Sequence, residues 1–166
     1  MIGRYGQIMH FVPLLAPVDT TATAINSNAV DLAGCHRATF LIPFGSVSAV
    51  CTTDTVTVTV LASSVVTSGT GTAIAFNYRI SSAIGTDTWG AVTAALAAGY
   101  AMPASLQNNL LLVDVDPDVV LNGVTNLNGR YVRIVITPTA GAGHTLVSVL
   151  AELEPRFAQT NMVSAS

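Results

Sequence analysis

The stretch "DTVTVTVL", residues 54–61, alternates without a break. Successive side chains of an extended chain point to opposite sides, so Val56, Val58 and Val60 share one face and Thr55, Thr57 and Thr59 the other. Every residue from 55 to 60 is β-branched, which favours a strand and disfavours a helix. A period of 3.6 would scatter the valines around an axis and leave no apolar side. The segment reads as a half-buried strand whose outer face carries hydroxyls instead of charges.

The same period of two runs outward in both directions. "ATFLIPF" (38–44) puts Ala38, Phe40, Ile42 and Phe44 on one side, and "TAIAFNYRI" (72–80) does so with Ile74, Phe76, Tyr78 and Ile80. "GRYVRIVITP" (129–138) alternates Val132, Ile134 and Ile136 with Tyr131, Arg133 and Val135, and "TLVSVLAEL" (145–153) closes the series. "QIMHFVPLL" (7–15), "TATAINSNAVDL" (21–32) and "NNLLLVDVD" (108–116) add further strands. The turn signals "FGS", "SGTGT", "LNG", "NLNG" and "TAGAGH" separate them.

Short alternating strands at this spacing predict an all-β, single-domain antiparallel β-sandwich or a jelly-roll-like barrel. Its body spans residues 7–154, with an N-terminal arm over 1–6 and a C-terminal arm over 155–166. Pro13 and Pro43 lie inside strand-like runs; a proline has no N–H for a central ladder, so edges or bulges are expected there. "WGAVTAALAAGYAM" (89–102) is open to either a short helix or an extended form.

Composition narrows the function. The chain has 166 residues, a formal net charge of -3, and only 9% charged residues, against about a quarter in ordinary soluble domains. All its positive side chains are arginines, namely Arg4, Arg37, Arg79, Arg130, Arg133 and Arg156. Without lysine there is no phosphate-loop lysine, Schiff base or Ser–Lys dyad. Dispersed arginines on an acidic chain also argue against nucleic acid as a partner.

Mean hydropathy is +0.59, yet no apolar run approaches the roughly 20 residues of a spanning helix, and no membrane association is expected. A chain so poor in charge is expected to cover part of its surface with copies of itself or with partners. The competing account gives the solvating role to threonine and serine hydroxyls. Cys35 and Cys51 lack metal-ligand spacing and read as small buried thiols in a reducing cytoplasm.

Few residue patterns suggest chemistry. Asp114, Asp116 and Asp118 open like a calcium loop, but Val119 stands where the tight-turn glycine belongs. A helical turn explains them better: Asp116 as N-cap, Pro117 in first position, Asp118 complementing the dipole and Gly123 ending it. No metal and no cofactor is expected. His10, His36 and His144 are dispersed, and no nucleophile motif accompanies them. Glu152 and Glu154 share a face of the last strand and read as a solvated edge or as partners for Arg156. The chain is expected not to be an enzyme.

The stretch "AIAFNYRISSAIGTDTWG" (73–90) contains the single tryptophan. Arg79 points away from the apolar face of its strand, and Trp89 is expected to plug one end of the sandwich. Because aromatic and arginine side chains anchor interfaces, Trp89, Arg79, Tyr100, Arg156 and Phe157 are the candidate contacts with other subunits or partners. The rival use of Trp89, Tyr78 and Tyr100 is a carbohydrate-binding module.

"RYGQIMHFV", "TAIAFNYRISSAIGTDTWGA", "LLLVDVDP", "GRYVRIVITP" and "LAELEPRFAQ" follow one another from Arg4 to Gln159. Together they resemble a group of small virion structural proteins encoded in the head-gene modules of tailed bacteriophages and prophages. "TDTWG" and "EPRFA" are the most specific elements. The resemblance implies a head decoration, or cement, protein on the capsid exterior, assembled in the host cytoplasm. It implies the major capsid protein as partner, a homo-oligomer with a trimer favoured, and terminal arms that engage the lattice. A neck- or tail-associated virion protein is the nearest alternative. No functional residue is carried over from the resemblance.

Overall fold

The computed structural model describes residues 9–20, 23–47, 55–66, 71–83, 85–103, 108–122, 129–139, 145–156 and 164–165. Within these, the chain forms thirteen strands and one short helix. In chain order the strands are β1 (His10–Asp19), β2 (Ile25–Asn26), β3 (Ala29–Asp31), β4 (Cys35–Val47), β5 (Thr55–Ser63), β6 (Thr72–Ile74) and β7 (Phe76–Ile80). There follow β8 (Thr93–Ala95), β9 (Tyr100–Pro103), β10 (Leu110–Val115), α1 (Pro117–Asn122), β11 (Tyr131–Pro138), β12 (Thr145–Pro155) and β13 (Ser164–Ala165).

Two antiparallel sheets result. The first runs β1-β12-β4-β10-β7-β8; the second runs β13-β3-β11-β5-β6, with β2 also paired to β11 and β9 to β5. The architecture is a β-sandwich and not a closed barrel. Its core is the set of alternating positions read from the sequence. Ala38, Phe40, Ile42 and Phe44 of β4, Leu111 and Val113 of β10, and Val149 and Leu153 of β12 are buried. They meet Val58 and Val60 of β5 and Val132, Ile134 and Ile136 of β11 in one hydrophobic cluster. Facing sheets of this kind lie about 10 Å apart, the space that these side chains fill.

Buried hydroxyls complete the backbone where strands end or break. Ser27 Oγ accepts the Ile134 N–H at 3.0 Å and donates to the Asn28 carbonyl. Thr20 Oγ1 accepts the Thr145 N–H at 3.0 Å. Unmet, each of these buried donors would cost about 1–3 kcal/mol.

Several segments differ from their expected form. "TAIAFNYRI" keeps its apolar face but is two strands: β6 pairs with β5 in the second sheet, and β7 with β10 in the first. The break at Ala75 lets one alternating run cross between layers. "TATAINSNAVDL" likewise divides into β2 and β3 around Ser27. "WGAVTAALAAGYAM" is extended, forming β8 and β9 around a turn in which Gly99, at φ +92, approaches the Val58 carbonyl. Helix propensity of the alanines yields here to pairing with neighbouring strands.

Pro13 is on edge strand β1, beside a bulge, as a missing N–H requires. Pro43 departs from the expected edge or bulge: it lies in central strand β4, opposite Leu110 of β10. Residues 1–6 lie outside the described residues. Of residues 155–166, Pro155 belongs to β12, and Ser164–Ala165 pair with β3 of the same chain.

Candidate interaction surface

The aromatic stretch forms a closed hairpin. Ser81 and Trp89 make an isolated antiparallel bridge, and the Ser82 N–H donates to the Thr88 carbonyl at 2.9 Å. Thr86 Oγ1 donates to the Ala83 carbonyl, and the Gly90 N–H to that of Ile80. Trp89 is half-buried on this hairpin, and Arg79 is exposed on β7. Tyr78 and Tyr100 come from different sheets and stack with centroids 4.2 Å apart, with Phe76 edge-on to Tyr78. Both tyrosines pack against the core. Burial raises the Tyr100 hydroxyl above its ordinary pKa, and the neighbouring Tyr78 adds to this. These two tyrosine rings are engaged with each other between the sheets.

The three aspartates separate. Asp114 accepts from Arg37 at 2.9 Å and from Thr39 Oγ1 at 2.8 Å. Asp116 caps α1, accepting the Asp118 N–H at 2.9 Å, with Pro117 at the first helical position. Gly123 lies outside the described residues. Asp118 is ion-paired with Arg156. Among the described residues, no group of three or more His, Cys, Asp or Glu is placed to hold a metal ion.

Glu152 and Glu154, read as a solvated edge or as partners for Arg156, lie on β12 across from β4, where Glu154 is in register with Arg37 and Glu152 with Thr39. Arg156 instead reaches the turn before β4. Its Nε donates to the Cys35 carbonyl at 2.8 Å and its backbone N–H to the Gly34 carbonyl at 2.7 Å. Cys35 is paired with Pro155, which has no N–H to give. The Arg156 side chain thus supplies a donor beside a proline that lacks one. Phe157 lies outside the described residues.

The charges are mostly satisfied within the chain. Besides Arg37 and Arg156, Arg130 is paired with Asp31, and Arg133 is buried with a guanidinium N–H on the Val66 carbonyl at 2.7 Å. Burial opposes ionisation of Asp31, but the hydrogen bonds from Arg130 and the Ala33 N–H outweigh it and lower its pKa. Arg79 alone of the described arginines has neither an ion pair nor burial.

What remains outside is divided by sheet. The outward positions of β5 and β11 include Thr55, Thr57, Thr59 and Thr137, together with Leu61 and Val135, and Thr55 exchanges hydrogen bonds with Thr139. The outward positions of the first sheet mix leucines with polar and charged groups, among them Arg37, Thr39, Asn77, Asp114, Glu152 and Glu154. Strand register places Pro13, Leu150, Leu41, Leu112 and Arg79 in one row across β1, β12, β4, β10 and β7. Phe11 is 46% and Leu146 57% exposed beside this row. Hydroxyls thus predominate outside the second sheet, while a row of leucines crosses the mixed outer face of the first. Sequence reasoning missed the aliphatic row, because its members come from five strands that only the register aligns.

A cleft of about 270 Å³ opens where β6 passes to β7, lined by Ile74, Phe76, Asn77, Val119 and Val120 among others. Asp114 and Asp116 at its margin are already engaged as described.

No protein-family model matches the chain, and no curated protein matches it in sequence. A chain in the structure of infectious bursal disease virus Gx strain is similar over 89% of this chain and 40% of its own length, with 13% identity and a TM-score of 0.24. A likeness at that level carries no argument about role.

Proposed function

We propose that this protein is a structural component of a virion: a decoration protein bound to the outer surface of a tailed-phage head, beside the major capsid protein. The reading is supported by the ordered segments that resemble the head-module group. The single observation that carries it is the distribution of charge. Arg37, Arg130 and Arg156 are neutralised by acids of the same chain, leaving broad hydroxyl and aliphatic faces for contact. The two most specific segments of the resemblance also fall on scaffold. "TDTWG" closes the β7–β8 hairpin, and the arginine of "EPRFA" ties β12 to the turn before β4.

Such a protein is held in place by many modest contacts. Apolar burial stabilises by roughly 25 cal/mol per Å² before the costs of association, and multiple copies add avidity. Attachment through these surfaces is insensitive to salt, because little of it is ionic. The test is to wash purified particles in rising sodium chloride and weigh the retained protein by gel densitometry. Retention through molar salt is expected. Release in moderate salt would remove the basis of the proposal.

A further inference from the structure

We infer that the outer face of the six-stranded sheet is a self-association surface, and that its occupant is a second copy of this chain related by a twofold axis. The inference stands on this face alone and does not depend on the virion reading.

Area is the first reason. Five strands spaced about 4.8 Å apart, followed for about nine residues at 3.3 Å each, make a face on the order of 700 Å². A stable specific interface covers about 800 Å² per partner, so one copy of the face nearly suffices. Leu41, Leu112 and Leu150 are only half-buried at its centre, with Phe11 46% and Leu146 57% exposed at its margin. Aliphatic side chains this close together favour removal from water.

Symmetry is the second. A twofold interface presents the same patch from both sides, so it requires a pattern that matches its own reversal. The row Pro13–Leu150–Leu41–Leu112–Arg79 has Leu41 at its middle and a leucine on each side. A twofold axis along β4 sets Leu41 on Leu41 and Leu150 on Leu112 of the second copy. Reversal also brings Arg79 to the Pro13 end of the other chain, one strand position from its Phe11 and close to its Glu152. Arg79 is the one described arginine left exposed without an ion pair.

One feature of the face opposes pairing. The adjacent row brings Glu152 opposite Asp114 of the second copy. Arg37 and Thr39 already hold Asp114, and salt screens the repulsion that remains between these partly exposed carboxylates. Association is therefore expected to hold or tighten as salt rises, unlike a contact made by ion pairs.

Sedimentation equilibrium of the full chain tests this. The wild type is expected to form a dimer that persists in salt. Leu41→Glu, which places two carboxylates on the axis, is expected to weaken association at least about 100-fold while retaining the wild-type circular dichroism. Thr59→Glu, on the hydroxyl face, is expected to leave it unchanged. Leu112→Glu serves as the second disrupting variant should Leu41→Glu not fold. A wild type that stays monomeric at all concentrations would overturn the inference. So would an oligomer of any size that survives both substitutions of the leucine row.

Discussion

Arg156→Ala isolates one side chain that ties three elements together. Its Nε donates to the Cys35 carbonyl at 2.8 Å, and Cys35 is fully buried. A charge-assisted bond to such a carbonyl is worth about 1.5–3 kcal/mol. The ion pair with Asp118 adds less, because Asp118 is 66% exposed, and solvent holds pairs of this kind to about 0.2–1 kcal/mol. The loss expected for Arg156→Ala is therefore about 2–3 kcal/mol, with the carbonyl bond the larger part. For a chain of this size each kcal/mol moves the Tm by about 2–4 °C, so a fall of about 4–12 °C is expected. Asp118→Asn removes only the ion pair, and its Tm is expected to fall by no more than about 4 °C. Differential scanning calorimetry at neutral pH compares the two. Equal losses would refute the division, because the exposed ion pair would then matter as much as the buried bond. A wild-type Tm for Arg156→Ala would refute the tie altogether.

The remaining predictions concern the core, a turn and a thiol. Phe40→Ala empties the middle of the sandwich and is expected to cost about 3–5 kcal/mol in urea unfolding; a loss below about 1 kcal/mol, as for a surface change, would contradict its burial. Gly99→Ala forces a Cβ to within 2.5 Å of the Val58 carbonyl oxygen at φ +92, and the backbone strain alone is expected to cost about 1–3 kcal/mol, read as a lower Tm. Burial, aided by Asp31, pushes the Cys35 thiol up to about 11. Iodoacetamide at neutral pH is therefore expected to modify Cys35 only after denaturation, as followed by peptide mass mapping; labelling of the folded protein at a free-thiol rate would contradict this.

Most of the layers of the fold were legible because burial on one face leaves a period of two. Val56, Val58 and Val60, or Ala38, Phe40, Ile42 and Phe44, announce their inward faces without reference to any partner. Asp116 and Pro117 announced α1 equally well, since capping is a local property. Sheet membership was not legible. The run 72–80 keeps one apolar face while changing sheets at Ala75, and periodicity is blind to which strand lies alongside. The same blindness hid the partners of Arg156, since Asp118 and the Cys35 carbonyl lie far from it in sequence. It also hid the Pro13–Leu150–Leu41–Leu112 row, because each leucine occupies an outward position where sequence alone shows a minor exception to polarity. Register turns those exceptions into a surface.

The contrast between the two outer faces has a physical consequence. Threonines on the second sheet solvate it without net charge, and their branched Cβ atoms reinforce the strands that carry them. Leucines on the first sheet leave an aliphatic area that water does not favour.

The proposed role is tested most directly by the number of copies of this chain per major capsid protein in purified particles, measured by quantitative mass spectrometry. A ratio near one, or a fixed large fraction of it, is the predicted result for a decoration protein spread over the shell. A handful of copies per particle would move the protein to the neck or tail, and its absence from the particle would contradict a virion role.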